Sequence, residues 1–296
     1  MSMQPLAEVF GFPIDNLTPE AKRHREKRLC PFNNRVPNCT KDRAKAPLGV
    51  CSVYHRTNVA ITCPVRFRQH WIIADDAADY FFPPQSLWTS LTEVRLNDKH
   101  GRSAGNIDVV LVAYDDDRQI VDFGALEVQA VYISSNVRQP FQYYMEDPQN
   151  RHDMDWTGQR NYPRPDYLSS SRKRLAPQLL YKGGILNAWR KKTAVAVDRS
   201  FYATLPPLPE TNPEEADIVW LVYDLVLDLE RNRYDLVRCR SVYTSFAAAL
   251  RTLTEAEAGP VEDFIQELQG RIDEKLEITY PPDAPTLRDM LERGGE

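Results

Sequence analysis

The sequence predicts an α+β fold, a mixed central sheet flanked by helices, with a small N-terminal unit built around four cysteines. Three observations carry this. Residues 106–134, NIDVVLVAYDDDRQIVDFGALEVQAVYIS, place two β-branched and aromatic runs around an Asp-rich turn, the pattern of a β-hairpin. Runs of the same character recur at 193–205, 218–229 and 233–245, the last two forming a second hairpin around Glu230, Arg231 and Asn232. Cys30, Cys39, Cys51 and Cys63 fall together in a segment rich in Pro, Asn and Arg.

In chain order, residues 1–75 read as the cysteine unit and 76–296 as the core with its C-terminal helices. The first seventy residues lack long periodic apolar segments, so something other than a core organises them. Four thiolates suit one tetrahedral metal ion, although no C-x-x-C pair is present; buried structural thiols are the alternative. Cys239 reads as an ordinary packed thiol. Ser90–Leu96 begins or ends a helix. Residues 169–192, SSSRKRLAPQLLYKGGILNAWRKK, form a basic helix interrupted at Gly183 and Gly184. Val261, Phe264, Ile265, Leu268, Ile272 and Leu276 recur at helical spacing, and core packing is the favoured role for that stripe.

A chain of 296 residues buries a full core without disulfide staples. It shows neither a membrane-length apolar run nor a secretory start, which points to the cytoplasm and to reduced thiols. The net charge of −5 conceals a segregation. Twelve Lys or Arg face two acids between Ala21 and His70, and ten face two between Arg160 and Arg199. Basic groups are therefore concentrated where a polyanion could be gripped, although solvated faces would look the same.

The first hairpin carries the chemistry. If Asp115 lies opposite Ile120, Asp108 lies opposite Glu127 on the same face, with Cβ atoms about 5 Å apart. Bare carboxylates at that spacing repel, and a divalent cation removes the repulsion. Gln129 projects from the same face as Glu127 because side chains alternate along a strand. Val128 points away but offers a backbone carbonyl, and hard cations such as Mg²⁺ accept carboxylate and carbonyl oxygens. Structural ion pairing would use the same residues.

Asp108 followed on the paired strand by Glu127-Val128-Gln129 resembles the PD-(D/E)xK nuclease superfamily, with Gln129 where the motif usually has Lys. An amide cannot take a proton and can only hold the attacking water, so activation would fall mainly to the metal. Cys30-Pro-Phe-Asn-Asn, Cys39-Thr-Lys-Asp, Gly49-Val-Cys51-Ser, the Glu127-Val-Gln129 strand and Ser169-Ser-Ser-Arg-Lys-Arg-Leu-Ala-Pro-Gln-Leu together look like the NotI-type restriction endonucleases. That resemblance covers most of the chain. It implies a restriction-endonuclease-like core and a bacterial, cytoplasmic homodimer that binds double-stranded DNA and cleaves GC-rich palindromes with a GGCC core. It also implies iron, with zinc as the alternative, on Cys30, Cys39, Cys51 and Cys63, and a further acidic residue that Glu93 matches by position. The chain length points to a six-base, EagI-like relative.

The expectation is then a type II endonuclease in which Asp108, Glu127 and Val128 hold Mg²⁺, Glu93 supports a second ion or its water shell, and Gln129 positions the nucleophile, leaving 5′-phosphate ends. Arg172, Lys173, Arg174, Lys182, Arg190, Lys191 and Lys192 are the expected DNA contacts, since Arg reads guanine and phosphate bidentately. Two alternatives stand beside it. One is a non-catalytic DNA-binding regulator with a metal on the cysteines; the other is a repair nuclease of the same fold without fixed sequence specificity.

Overall fold

The structure, a computed structural model, describes residues 4–33, 35–42, 45–256 and 258–277. Near the N-terminus four short apolar runs pair antiparallel: β1 (Leu6–Val9), β2 (Phe12–Pro13), β3 (Val50–His55) and β4 (Asn58–Ile61), in the order β2-β1-β3-β4. Helix α1 (Pro19–Lys27) lies between β2 and β3 in sequence, its N-terminus capped by the Thr18 hydroxyl. Every residue of β1 is buried. The N-terminal region is thus held by an apolar core, contrary to the expectation of a unit without one. Each run is too short to show periodicity, and Pro, Arg and Cys between them mask it.

A buried ion pair fastens this sheet to the adjoining 3₁₀ helix (Pro64–Trp71). Arg66 of that helix meets Glu8 of β1 at 3.0 Å, and both side chains are fully buried. Glu8 also accepts the Ser52 hydroxyl at 2.7 Å, and Arg66 donates to the Tyr234 carbonyl at 2.7 Å.

Next come α2 (Ile72–Phe81), β5 (Trp88–Asn97), β6 (Ser103–Tyr114) and β7 (Ile120–Gln129). The helix expected at Ser90–Leu96 is β5, whose residues alternate between exposed and half-buried as one side of an edge strand does. A two-stranded ribbon, β8 (Tyr132–Ser134) and β9 (Arg164–Asp166), brackets α3 (Arg138–Glu146). One helical run comes after it: α4 (Tyr167–Ser170), α5 (Ala176–Gln178) and α6 (Gly184–Ala188), joined by π-helical turns at Ser171–Leu175 and Leu179–Gly183. The expected break at Gly183 and Gly184 is absent: both keep right-handed helical dihedrals. Gly183 is needed for closeness, since a Cβ there would come within 3.0 Å of the Phe246 ring.

Strand β10 (Thr193–Asp198), the short α7 (Arg199–Tyr202), β11 (Ile218–Asp228), β12 (Arg233–Thr244) and α8 (Phe246–Thr254) complete the main unit. The central sheet runs β12-β11-β10-β7-β6-β5; β10 is parallel to β7 and β11, and the other pairings are antiparallel, so the sheet is mixed. On one face Ala74, Ala77, Ala78 and Phe81 of α2 pack on Val109, Leu111, Leu126, Ala194 and Ala196. Burying a ring the size of Phe81 contributes roughly 1.5–3 kcal/mol. Gly124 makes room for it, because a Cβ there would lie 2.4 Å from that ring. On the other face Val195, Val197, Trp220 and Val222 meet Leu175 and Leu179 of the helical run, together with Leu6, Val9, Val50 and Val53 of the N-terminal sheet.

The two sheets therefore share one core within Met1–Thr254, a compact unit, and a second unit begins at Glu255. The second unit contains α9 (Val261–Glu277), where Val261, Phe264, Ile265, Leu268, Ile272 and Leu276 are exposed among the described residues, not buried as their spacing favours. Residues 278–296 of the expected C-terminal part lie outside the described residues.

Candidate active site

The hairpin register decides whether the acidic residues meet. Ala113 pairs with Asp122, Val110 with Ala125 and Val109 with Leu126, where the ladder ends; the same register carried one rung further brings Asp108 opposite Glu127. The turn differs from expectation: Tyr114, not Asp115, faces Ile120, and a bulge between Ala113 and Tyr114 absorbs the one-residue slip. The body of the ladder keeps its register because a slip would turn Val109, Leu111 and Leu126 out of the core.

Asp108 Oδ2 accepts the Val128 N–H at 2.8 Å. A strand residue turns its N–H and C=O toward the same neighbour, so the Val128 carbonyl faces the same edge. Glu127 is buried and is pushed up to about 8 by burial, against the pull of Lys182 and with the Asp108 charge adding to the rise. Its Oε1 is buried with no hydrogen-bond partner. Two adjoining carboxylates and an orphaned buried oxygen form a donor set that suits a hard divalent cation. Gln129 is also buried on this face, its amide donating to the Ala130 carbonyl at 2.8 Å.

Glu93 stands apart. Thr92 pairs with Val109 and Val94 with Ile107, which leaves Glu93 beside Asp108 in the ladder, but its backbone is left-handed (φ 58°). Its exposed side chain pairs with Arg35 at 3.7 Å. Among the described residues no three His, Cys, Asp or Glu side chains converge on one metal position.

The largest departure is Lys182. Expected on the DNA-facing surface, it is buried and reaches from the second π turn to Glu127 Oε2 at 2.5 Å and to the Asn106 carbonyl at 2.9 Å. An ammonium on an amphipathic helix reads as surface; the cue that was missed is the apolar company of Leu179 and Leu186 on the same helical face, which draws the stem inward. Of the other expected DNA contacts, Arg172, Lys173, Arg174 and Arg190 are exposed. Arg174 stacks over Tyr132, its guanidinium 4.8 Å from the ring centre. Lys191 pairs with Asp122 at 2.5 Å, and Lys192 donates to the Tyr80 carbonyl at 3.0 Å, so these two already have protein partners.

The four cysteines gather in the N-terminal region. Cys39, Cys51 and Cys63 are buried and Cys30 is half-buried. Burial pushes the Cys30 thiol up to about 11, with Cys63 and Cys39 adding to it, and it likewise raises Cys39 and Cys51, each with help from Cys63. The thiols are thus electrostatic neighbours, although no three converge among the described residues. Cys239, expected to be packed, is exposed on β12.

A mixed sheet flanked by helices, with two carboxylates meeting across adjacent antiparallel strands, is the arrangement of a nuclease-like core. The sequence model of one family, described as Restriction endonuclease NotI, matches residues 8–236. The chain belongs to the NotI restriction endonuclease family, whose members are site-specific DNA-cutting enzymes. No match is found among curated proteins. No helix among the described residues is long and apolar enough to cross a membrane.

Proposed function

We propose that this chain is a Mg²⁺-dependent type II restriction endonuclease of the PD-(D/E)xK type that hydrolyses double-stranded DNA at a GC-rich palindrome with a GGCC core. The observation that carries the reading is the meeting of Asp108 and Glu127 across β6 and β7, with one buried Glu127 oxygen lacking a partner. Asp108, Glu127 and the Val128 carbonyl would hold the ion. When bound, it supplies a water of lowered pKa and neutralises charge on the phosphate. Gln129 orients the attacking water, and Glu93, at the rim, serves an outer water shell or a second ion. Cleavage leaves a 5′-phosphate and a 3′-hydroxyl. The exposed Arg172, Lys173, Arg174 and Arg190 grip the backbone or guanine edges.

The chain acts as a cytoplasmic homodimer, since a twofold enzyme matches a palindrome. An EagI-like six-base site is the form of palindrome proposed. Cys30, Cys39, Cys51 and Cys63 hold iron, or zinc in its place, in a structural role; mutual proximity of the thiols supports this.

Plasmid digestion with and without Mg²⁺ tests the reading: discrete bands only with Mg²⁺ are expected. A smear would indicate cutting without fixed sequence, and no cutting would leave a DNA-binding protein. Asp108→Ala should cut slower by about a thousandfold or more, because losing a ligand forfeits several kcal/mol of charge stabilisation. Undiminished cutting by that variant refutes the site.

A further inference from the structure

We propose that Lys182 is a catalytic residue of this site, supplying from the helical run the positive charge that Gln129 cannot supply from β7. The inference rests on the nuclease reading and deepens it. Lysine is among the residues least often fully buried, and here the side chain is 6% exposed. It crosses from the helix to the sheet and bridges the two site strands, meeting the Asn106 carbonyl of β6 at 2.9 Å and the Glu127 carboxylate of β7 at 2.5 Å. Asn106 lies two residues before Asp108, so the ammonium stands at the same end of the hairpin as both carboxylates.

The helix is shaped to deliver it. Lys182 sits within the π turn Leu179–Gly183, and such widened turns re-aim side chains and gather at functional sites. Leu179 and Leu186, on either side, are buried, so the segment cannot rotate the lysine outward without exposing them. An ammonium has three N–H donors. Glu127 and Asn106 take two, and among the described residues the third meets no protein acceptor.

In the reaction, water oxygen bonds to phosphorus, the P–O3′ bond breaks, and one water proton ends on the 3′ oxygen. No proton passes through Lys182. Its free donor hydrogen-bonds a non-bridging phosphate oxygen as negative charge builds there, the role of a fixed cation aimed at a developing oxyanion.

A counter-ion that merely neutralises Glu127 would behave differently, because saturating Mg²⁺ does the same work. The test is therefore single-turnover plasmid cutting by Lys182→Met across a Mg²⁺ titration, with DNA binding measured in Ca²⁺ and folding by thermal melting. Expected is a loss of about a hundredfold or more that persists at saturating Mg²⁺, with binding changed less than about threefold. Recovery of the wild-type rate at high Mg²⁺, or cutting within about threefold of wild type throughout, overturns the proposal. Should Lys182→Met fail to fold, the double variant Lys182→Gln with Gln129→Lys decides, since it keeps one ammonium beside Glu127. Recovered cutting supports the proposal; a double variant that is inactive or unfolded overturns it. A wild-type chain that cuts no plasmid under any Mg²⁺ concentration overturns the nuclease reading itself.

Discussion

At the scale of single residues, the face shared by the hairpin residues was legible and the lysine that meets them from the helix was not. Asp108, Glu127 and Gln129 follow from period-two alternation within one hairpin, a local rule. Lys182 lies fifty-five residues from Glu127 in sequence, and only its place between Leu179 and Leu186 distinguishes it from the exposed Lys173 and Arg174. A second buried charge was equally hidden. Asp198 ends β10 and caps α7, accepting the Phe201 N–H at 3.0 Å and the Ile61 N–H at 3.1 Å. Burial pushes it up to about 7 despite those bonds, from an ordinary value of 3.8. The folded chain holds this proton more tightly than the unfolded one, so the stability it contributes is full below about pH 4 and is lost as pH rises through about 7. Asp198→Asn is expected to flatten the fall in stability by its own share, up to roughly 4 kcal/mol across the window, in urea midpoints measured from pH 4 to pH 8, while the share from Glu127 remains. A variant retaining the wild-type slope would show that another group causes it.

At the scale of elements, long alternating strands announced themselves, and short or one-sided ones did not. β6, β7, β11 and β12 each carry ten or more residues of clear pattern. β1 and β4 have four residues each, below the length at which periodicity speaks, and β5 presents Thr, Ser and Glu among its apolar positions. The Glu8–Arg66 pair that fastens β1 to the 3₁₀ helix is invisible to local rules, because its partners lie fifty-eight residues apart. Arg66→Met leaves Glu8 buried and uncompensated, so we expect a loss of about 3–5 kcal/mol in denaturant unfolding. A loss below about 1 kcal/mol would mean that water reaches Glu8. On the helical run, Arg172 and Lys173 are exposed and their phosphate role is separable from chemistry. Replacing both by Ala should weaken DNA binding uniformly across sequences and reduce the slope of log K against log salt by about 2. An unchanged slope would remove them from the interface.

At the scale of the whole molecule, the clustering of basic residues overstated the basic surface. Arg25 and Arg66 from the first cluster and Lys182 from the second are buried and hydrogen-bonded within the fold, Arg25 through its two terminal nitrogens only, which leaves less basic surface exposed. Composition sees charge but not which way it points. The cysteine segment shows the same limit: a thiol-rich, Pro-rich stretch reads as a metal unit, yet its strands share a core with the central sheet. If iron or zinc sits there in addition, elemental analysis of the purified protein should find about one atom per chain, and Cys39→Ala should lose it and melt lower. A metal-free protein with the same melting temperature would make the four thiols packing residues.

One outcome of the left-handed backbone at Glu93 reaches beyond chemistry. β5 is the last strand of the central sheet, ten residues long, with Leu91 half exposed at 49%. A straight margin of that length offers a row of unused amides and carbonyls onto which another molecule could add a strand. At Glu93 the row is thrown out of line, and past it the apolar side chains change sides: Val109 joins the cluster under α2, whereas Val94, Leu96 and Ile107 join the opposite one. Arg35 lies over the same spot, bonded to the Thr92 hydroxyl. The sheet margin is thereby cut into two pieces too short to template a neighbour, and Glu93→Val, which favours extended backbone, should raise light scattering on concentration even where cutting survives.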